Sequence, residues 1–169
     1  MADRVSASIT LGGSISIGAF AELVAIIANE GLSTEWDGEA FEPHHRTIGA
    51  PLSLYAHEVA WGYFNELESW CARNQIAFAR WSGGYGGQWG PERVIHTGDG
   101  ELTSYAVTED DVAVIAREAI EQLGSYAAVL DRFSAADFTV PPLIVEGDPT
   151  PQEATGETSP PAEEATNVE

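Results

Sequence analysis

Between Val5 and Trp81 the hydrophobic period switches twice from strand-like to helix-like and back, and this switching constrains the fold more than any other feature. Val5, Ala7, Ile9 and Leu11 alternate with Ser6, Ser8 and Thr10, which predicts a half-buried strand. Phe20, Leu23, Val24 and Ile27 then recur at helical spacing, and Gly31 ends the helix. Leu32, Thr34 and Trp36 alternate with Ser33, Glu35 and Asp37, predicting a second strand over Leu32–Asp37, closed by Gly38. The pattern repeats downstream. Leu52–Val59 reads as a strand, Phe64, Leu67, Trp70 and Cys71 as a helix face, and Ile76–Trp81 as another strand.

Phe20-Ala21-Glu22-Leu23 leads to Trp36, and Phe64-Asn65-Glu66-Leu67 leads to Trp81, with Phe-to-Trp separations of 16 and 17 residues. The likeness is a weak internal duplication. Two βαβ units in tandem predict the α+β class and a ferredoxin-like, split βαβ antiparallel sheet with both helices on one face. An added hairpin follows: Arg93–His96 and Glu101–Val107 flank the turn Thr97-Gly98-Asp99-Gly100. Two C-terminal helices complete the domain. Thr108 reads as the N-cap of the first, with Glu109, Asp110 and Asp111 as partners of its dipole and Val112, Ile115, Ala116, Ala119, Ile120 and Leu123 as its apolar stripe. Gly124-Ser125 recaps the chain into the second, carrying Tyr126, Val129, Leu130 and Phe133. Residues 1–146 are thus expected to form one domain. From Gly147 the chain is Pro, Glu, Thr, Ser and Ala without an aromatic, so 147–169 reads as a disordered acidic tail whose removal leaves stability unchanged.

Charge bounds the function. Twenty-seven acidic residues face seven basic ones, all arginine, for a net charge of −20. Seven of the acids lie beyond Val145, so the remainder keeps an excess of 13 negative charges. Such a field repels nucleic acid and anionic membranes and attracts basic surfaces. No apolar run reaches membrane-spanning length, no signal-like h-region follows Asp3-Arg4, and the single Cys71 makes no internal disulfide, so a cytoplasmic protein is expected.

Motifs for chemistry fail one by one. His57-Glu58 begins like a zinc-protease helix, but position 61 is Trp, and alternate strand residues face opposite ways. His44-His45 sits in a loop without converging ligands, so no metal and no cofactor is expected. The glycine-rich stretch Gly83 to Gly90 lacks the lysine of a Walker loop and the third glycine of a dinucleotide loop. It reads instead as a loop presenting Tyr85 and Trp89 to a partner. An enzyme is not expected; a third reading, behind an inhibitor and a binding module, is an unrecognised enzyme using His57 or the aromatic loop.

The acidic clusters remain. Glu30, Glu35, Asp37, Glu39 and Glu42 gather around the second predicted strand, and Asp99 and Glu101 mark the hairpin tip. The expected partner-binding residues are therefore Glu35, Asp37, Glu39, Glu42, Tyr85, Trp89, Asp99 and Glu101. The leading expectation is an acidic inhibitor or decoy, a nucleic-acid mimic that blocks a basic nucleic-acid-binding protein, by analogy with proteins of mobile elements that block restriction or CRISPR-type defence. The alternative is a ferredoxin-like module that binds a small molecule or scaffolds an assembly, self-associating as a homodimer through a sheet face or edge.

Overall fold

The computed structural model describes residues 2–149 as an α+β domain. Its spine is β1 (Arg4–Ile15), in which Ala7, Ile9 and Leu11 are fully buried while Ser6, Ser8 and Thr10 face the other way. β1 is flanked on both sides by antiparallel neighbours, β2 (Leu52–Ala60) and β3 (Ala77–Ser82). β4 (Glu92–His96) and β5 (Thr103–Ala106) extend the β3 side in an antiparallel meander, giving the order β2-β1-β3-β4-β5. A short β6 (Leu143–Val145) runs parallel to the end of β1 at Gly13–Ile15.

Two helices cover the face that carries Ile9 and Leu11. α1 (Ile17–Asn29) starts where the Ser16 hydroxyl accepts the Ala19 N–H at 3.1 Å, and it buries Leu23, Ile26 and Ile27. α2 (Asn65–Arg73) buries Leu67, Trp70 and Cys71, and a distant carboxylate caps it: Glu30 accepts the Glu66 and Leu67 N–H groups at 2.9 and 3.2 Å. Glu30 thus belongs to the fold rather than to an acidic surface, and burial pushes its carboxyl up. The buried Cys71 thiol is pushed up to about 12 by desolvation, then by Glu68, which makes it inert.

Three of the four strands expected from the repeat share this sheet. The fourth does not form. Over Leu32–Asp37 only Ser33 pairs, in one bridge to Tyr55, because the chain turns back at Glu35–Gly38: Gly38 N–H reaches the Glu35 carbonyl at 3.2 Å and Asp37 takes a left-handed φ of 56°. A second correction concerns the chain after β5. The helix expected from Thr108 begins only at Arg117 as α3 (Arg117–Leu123), with α4 (Tyr126–Ala136) following as expected. Residues 108–116 form an extended turn instead. Arg93 holds it open, donating from Nε to Asp111 at 2.8 Å and from a terminal nitrogen to the Asp111 carbonyl, while Val107 bridges Ala113. Ionic and ladder contacts from β4 and β5 outweigh a local helical pattern worth only tenths of a kcal/mol per residue, roughly. Glu109 and Asp111 therefore do not cap a helix.

A third correction concerns residues 147–149. Asp148 is tied to the domain by Arg46 in a two-pronged pair at 2.6 and 2.8 Å and by the Val145 N–H at 2.9 Å. Arg46 also donates to the Leu143 carbonyl and lies over the Phe20 ring, so one guanidinium joins α1, β6 and Asp148. The expected tail beyond 149 lies outside the described residues. The Arg46 hydrogen bonds hold the Asp148 carboxyl down at about 2, below its ordinary 3.8. A depressed carboxyl contributes stability that is present above its unfolded value and lost as pH falls through the folded one. Asp148→Asn should therefore cost about 1.5–3 kcal/mol at neutral pH, and the gap to wild type should close between roughly pH 4 and 2. Thermal melts of both proteins across that range check the expectation; a gap that persists at pH 2 would refute it.

Candidate functional site

The face of the sheet opposite α1 and α2 is only partly covered. α4 packs at its β4–β5 side, where Arg93 donates to the Ala136 carbonyl and Arg132 lies over the Tyr105 ring. Across β2, β1 and β3 this face carries Tyr55, Ser8 and Trp81 in one cross-strand row, since Ser8 pairs with both Tyr55 and Trp81. Trp36 lies on them. Its ring centroid is 4.9 Å from Tyr55, 4.8 Å from His57 in a stacked arrangement, and 6.4 Å from Trp81 edge-on. The two tryptophans that end the repeated units thus meet on one platform.

A β-bulge aims His57 at it. The β1–β2 register shifts between Val5 and Ala7, and Glu58 takes a left-handed φ of 56°, placing two β2 residues opposite Ser6. His57 Nδ1 is then 2.6 Å from the Ser6 hydroxyl, and Nε2 is 3.6 Å from Asp37. A carboxylate only accepts, so Asp37 favours the Nε2–H tautomer, in which Nδ1 accepts from Ser6. The nearby Gly83 N–H is engaged by the Ser6 carbonyl at 2.9 Å rather than directed at a space beside the hydroxyl. The Ser6–His57–Asp37 chain therefore orients the imidazole ring that stacks on Trp36.

The expected partner-binding residues divide among three places. Glu35, Asp37, Glu39 and Glu42 are all exposed in the loop that carries Trp36, and three of them face histidines: His57 faces Asp37, His45 lies 3.3 Å from Glu39, and His44 lies 3.2 Å from Glu42. Glu42 and His45 cap a single 3-10 turn at Pro43–His45. Asp99 and Glu101 are exposed in the longer 97–102 connection, beyond the His96 end of β4. The Trp81 platform lies toward the opposite end of β3, so the hairpin acids do not join the loop acids. Tyr85 and Trp89 form a third place. Their rings stack at 5.1 Å across a tight turn closed by the Tyr85 N–H and the Trp89 carbonyl, and both are half-buried.

Trp36, Tyr55 and Trp81 were not expected as site residues, and His57 was expected only as part of an enzyme reading. The alternation in Leu52–Val59 does put Tyr55 and His57 on one face, but only the turn at Glu35–Gly38 brings Trp36 over them. Among the described residues no three His, Cys, Asp or Glu side chains converge to hold a metal, and no helix is long and apolar enough to cross a membrane.

Fold and site together define a small α+β domain that presents an aromatic platform beside a carboxylate-rich turn. No protein-family model matches the chain, and neither does any curated protein or solved structure.

Proposed function

We propose that the protein is an acidic binding module that engages a basic, nucleic-acid-binding protein and displaces its nucleic acid, an inhibitor or decoy of the anti-restriction or anti-CRISPR kind. One observation carries this reading: four exposed carboxylates gather at one turn around an aromatic side chain. Glu35, Asp37, Glu39 and Glu42 stand exposed around Trp36, itself 41% exposed, while three of the seven arginines, Arg46, Arg80 and Arg93, are held in ion pairs with Asp148, Glu68, Glu92, Asp111 and Asp137. Lysines and arginines that hold phosphates accept carboxylates in their place, and release of counterions drives the association. The platform adds desolvated aromatic area on which a partner arginine stacks. The domain is read as ferredoxin-like, with β2 and β3 on either side of β1, α2 crossing between them, and the second strand of that plan reduced to the Ser33–Tyr55 bridge.

The alternative, a scaffold or small-molecule module that self-associates, is favoured by the exposed apolar side chains Tyr126 and Leu130 on α4, 78% and 45% exposed.

A partner recovered by affinity from the native host allows a direct test. Its complex should weaken steeply with salt and should exclude DNA or RNA from the partner. The triple reversal Glu35→Lys, Asp37→Lys, Glu39→Lys should weaken binding by roughly 10- to 100-fold, whereas Glu118→Lys with Asp131→Lys, on α3 and α4, should leave it near wild type. A salt-insensitive complex, or a partner that keeps its nucleic acid, would sink polyanion mimicry. A homodimer lost on Tyr126→Ser would favour the scaffold.

A further inference from the structure

A second aromatic site lies on the other side of the sheet, away from Trp36. Trp61, Tyr63, Ser82, Trp89, Gly90 and Glu92 line a cavity of about 190 Å³ between the β2–α2 connection and the glycine-rich loop. Three aromatic side chains wall it, and two of them are open to solvent, Trp61 at 51% and Tyr63 at 45%. Exposing two large rings side by side has a hydrophobic cost that a folded domain ordinarily avoids.

The backbone that presents them is strained. Trp61 takes a left-handed φ of 51°, followed by Gly62 at 72°. A side chain at Gly62 would bring its Cβ to 2.5 Å from Ser82 Cβ, so this connection is pressed onto β3 with Trp61 and Tyr63 on either side of the contact. A bulky residue in the left-handed region costs about 1–3 kcal/mol and persists where its surroundings enforce it, commonly at binding sites.

One carboxylate, Glu92, lines the floor, and a buried ion cluster backs it. The Arg80 guanidinium lies 4.8 Å from the Tyr63 ring centroid, and it is opposed by two carboxylates, Glu68 at 2.7 Å and Glu92 at 3.0 Å. One positive charge against two leaves a carboxylate in excess beneath the aromatic walls. Both Glu92 oxygens are already engaged, one by Arg80 and one by the Ser104 hydroxyl at 2.8 Å. The floor therefore attracts a cation by charge, the Trp61 and Trp89 rings add their quadrupoles, and the Glu92 oxygens are already in use. A primary ammonium or guanidinium gives up hydration there with little in return; a quaternary ammonium has no N–H to satisfy. An apolar cavity of about 150 Å³ holds benzene, so this one is large enough for a trimethylammonium group.

We propose that the Trp61–Tyr63–Trp89 cavity is an aromatic cage for a methylated ammonium group. The proposal is independent of the acidic turn, because it uses other residues on the opposite face. The same chemistry is offered by a small molecule such as choline and by a trimethyl-lysine side chain.

The full chain is titrated with choline, with its uncharged carbon isostere 3,3-dimethylbutan-1-ol, with free arginine, and with a short peptide carrying either trimethyl-lysine or lysine, following tryptophan fluorescence and heat. Choline or the methylated peptide should saturate, the isostere and arginine should bind at least about tenfold more weakly, and Trp61→Ala and Trp89→Ala should each weaken binding by about tenfold. Trp36→Ala, on the other face, should leave it unchanged. Trp61 and Trp89 are tested separately, with circular dichroism on each, so that misfolding of one variant does not decide the outcome. If the methylated peptide binds well above choline, the cage reads a protein side chain; if choline binds as tightly, it takes a small molecule. Equal binding of the isostere, no saturation by any methylated cation, or full binding in both folded tryptophan variants would overturn the proposal.

Discussion

Gly12→Ala is expected to lower stability by about 3 kcal/mol or more, the upper end of what overpacking costs, and to lower the melting temperature by roughly 6–12 °C for a domain of this size. A Cβ at Gly12 would stand 1.6 Å from the Pro141 carbonyl oxygen and 2.7 Å from its carbon. The obstacle is backbone, and it has nowhere to retreat. Leu143, two residues on, is fully buried; its N–H bonds the Ala50 carbonyl and its own carbonyl accepts from Arg46. Relief therefore requires β6 to leave β1, which also releases the Arg46–Asp148 pair. Amide hydrogen exchange should report this as lost protection at Gly13 and Glu146, whose N–H groups bond Pro142 and Ile15. Gly86→Ala, where a Cβ meets nothing within 4 Å, should stay within about 0.5 kcal/mol of wild type. A Gly12→Ala protein as stable as Gly86→Ala would mean that the Pro141 segment does not cross β1 as described.

Arg80→Ala should cost about 3–5 kcal/mol, the penalty for leaving buried charge without its partner. Arg80 is 1% exposed on the helix-covered face of β3, opposite Ile9. Its Nε is 2.7 Å from Glu68, although the N–H angle falls short of a hydrogen bond, and its terminal nitrogens reach Ser82 and Glu92 at 3.0 Å each. Removing it strands two carboxylates. Burial already pushes the Glu68 carboxyl up, the Arg80 charge being the main opposing influence. Without Arg80 that carboxyl rises further, and a raised carboxyl weakens the fold as pH climbs through its folded value. The deficit of Arg80→Ala should accordingly shrink as pH is lowered from 7 to 5, and adding Glu68→Gln should recover part of it at pH 7. Urea titrations of the single and double variants at both pH values measure this. A deficit that is small and independent of pH would show that water, not Arg80, neutralises the two acids.

The elements legible in the sequence are those whose pattern is local. Ser6, Ser8 and Thr10 alternate with Ala7, Ile9 and Leu11 because a strand has two faces, and β1 has them. Leu23 and Ile27 or Leu67 and Cys71 are one helical turn apart, and each pair is buried. β4 and β5 announced themselves through the Gly98 and Gly100 turn, where φ values of 101° and 76° call for glycine. The charge excess and the exposure of the 35–42 acids were likewise readable, since a carboxylate is seldom buried without a partner and no basic residue lies within the stretch.

What the tertiary structure alone decided depends on partners far away in sequence. Leu32–Asp37 has a strand's alternation, yet its chain turns at Glu35–Gly38, with Ser33 Oγ bonding the Gly38 carbonyl, and one bridge is all that remains of the strand. Residues 108–116 have a helix's periodicity, yet Arg93, on β4, takes Asp111 and opens them. Glu30 and Asp148 look like surface acids, yet one caps a helix 36 residues away and the other pairs with an arginine 102 residues away. Trp36 meets Trp81, and Trp61 shares a cavity with Trp89, only through strand register and loop closure. Periodicity records which face of an element is apolar. It cannot record which charged or aromatic side chain arrives from elsewhere, and those long-range pairings set both the corrections to the fold and the two aromatic sites.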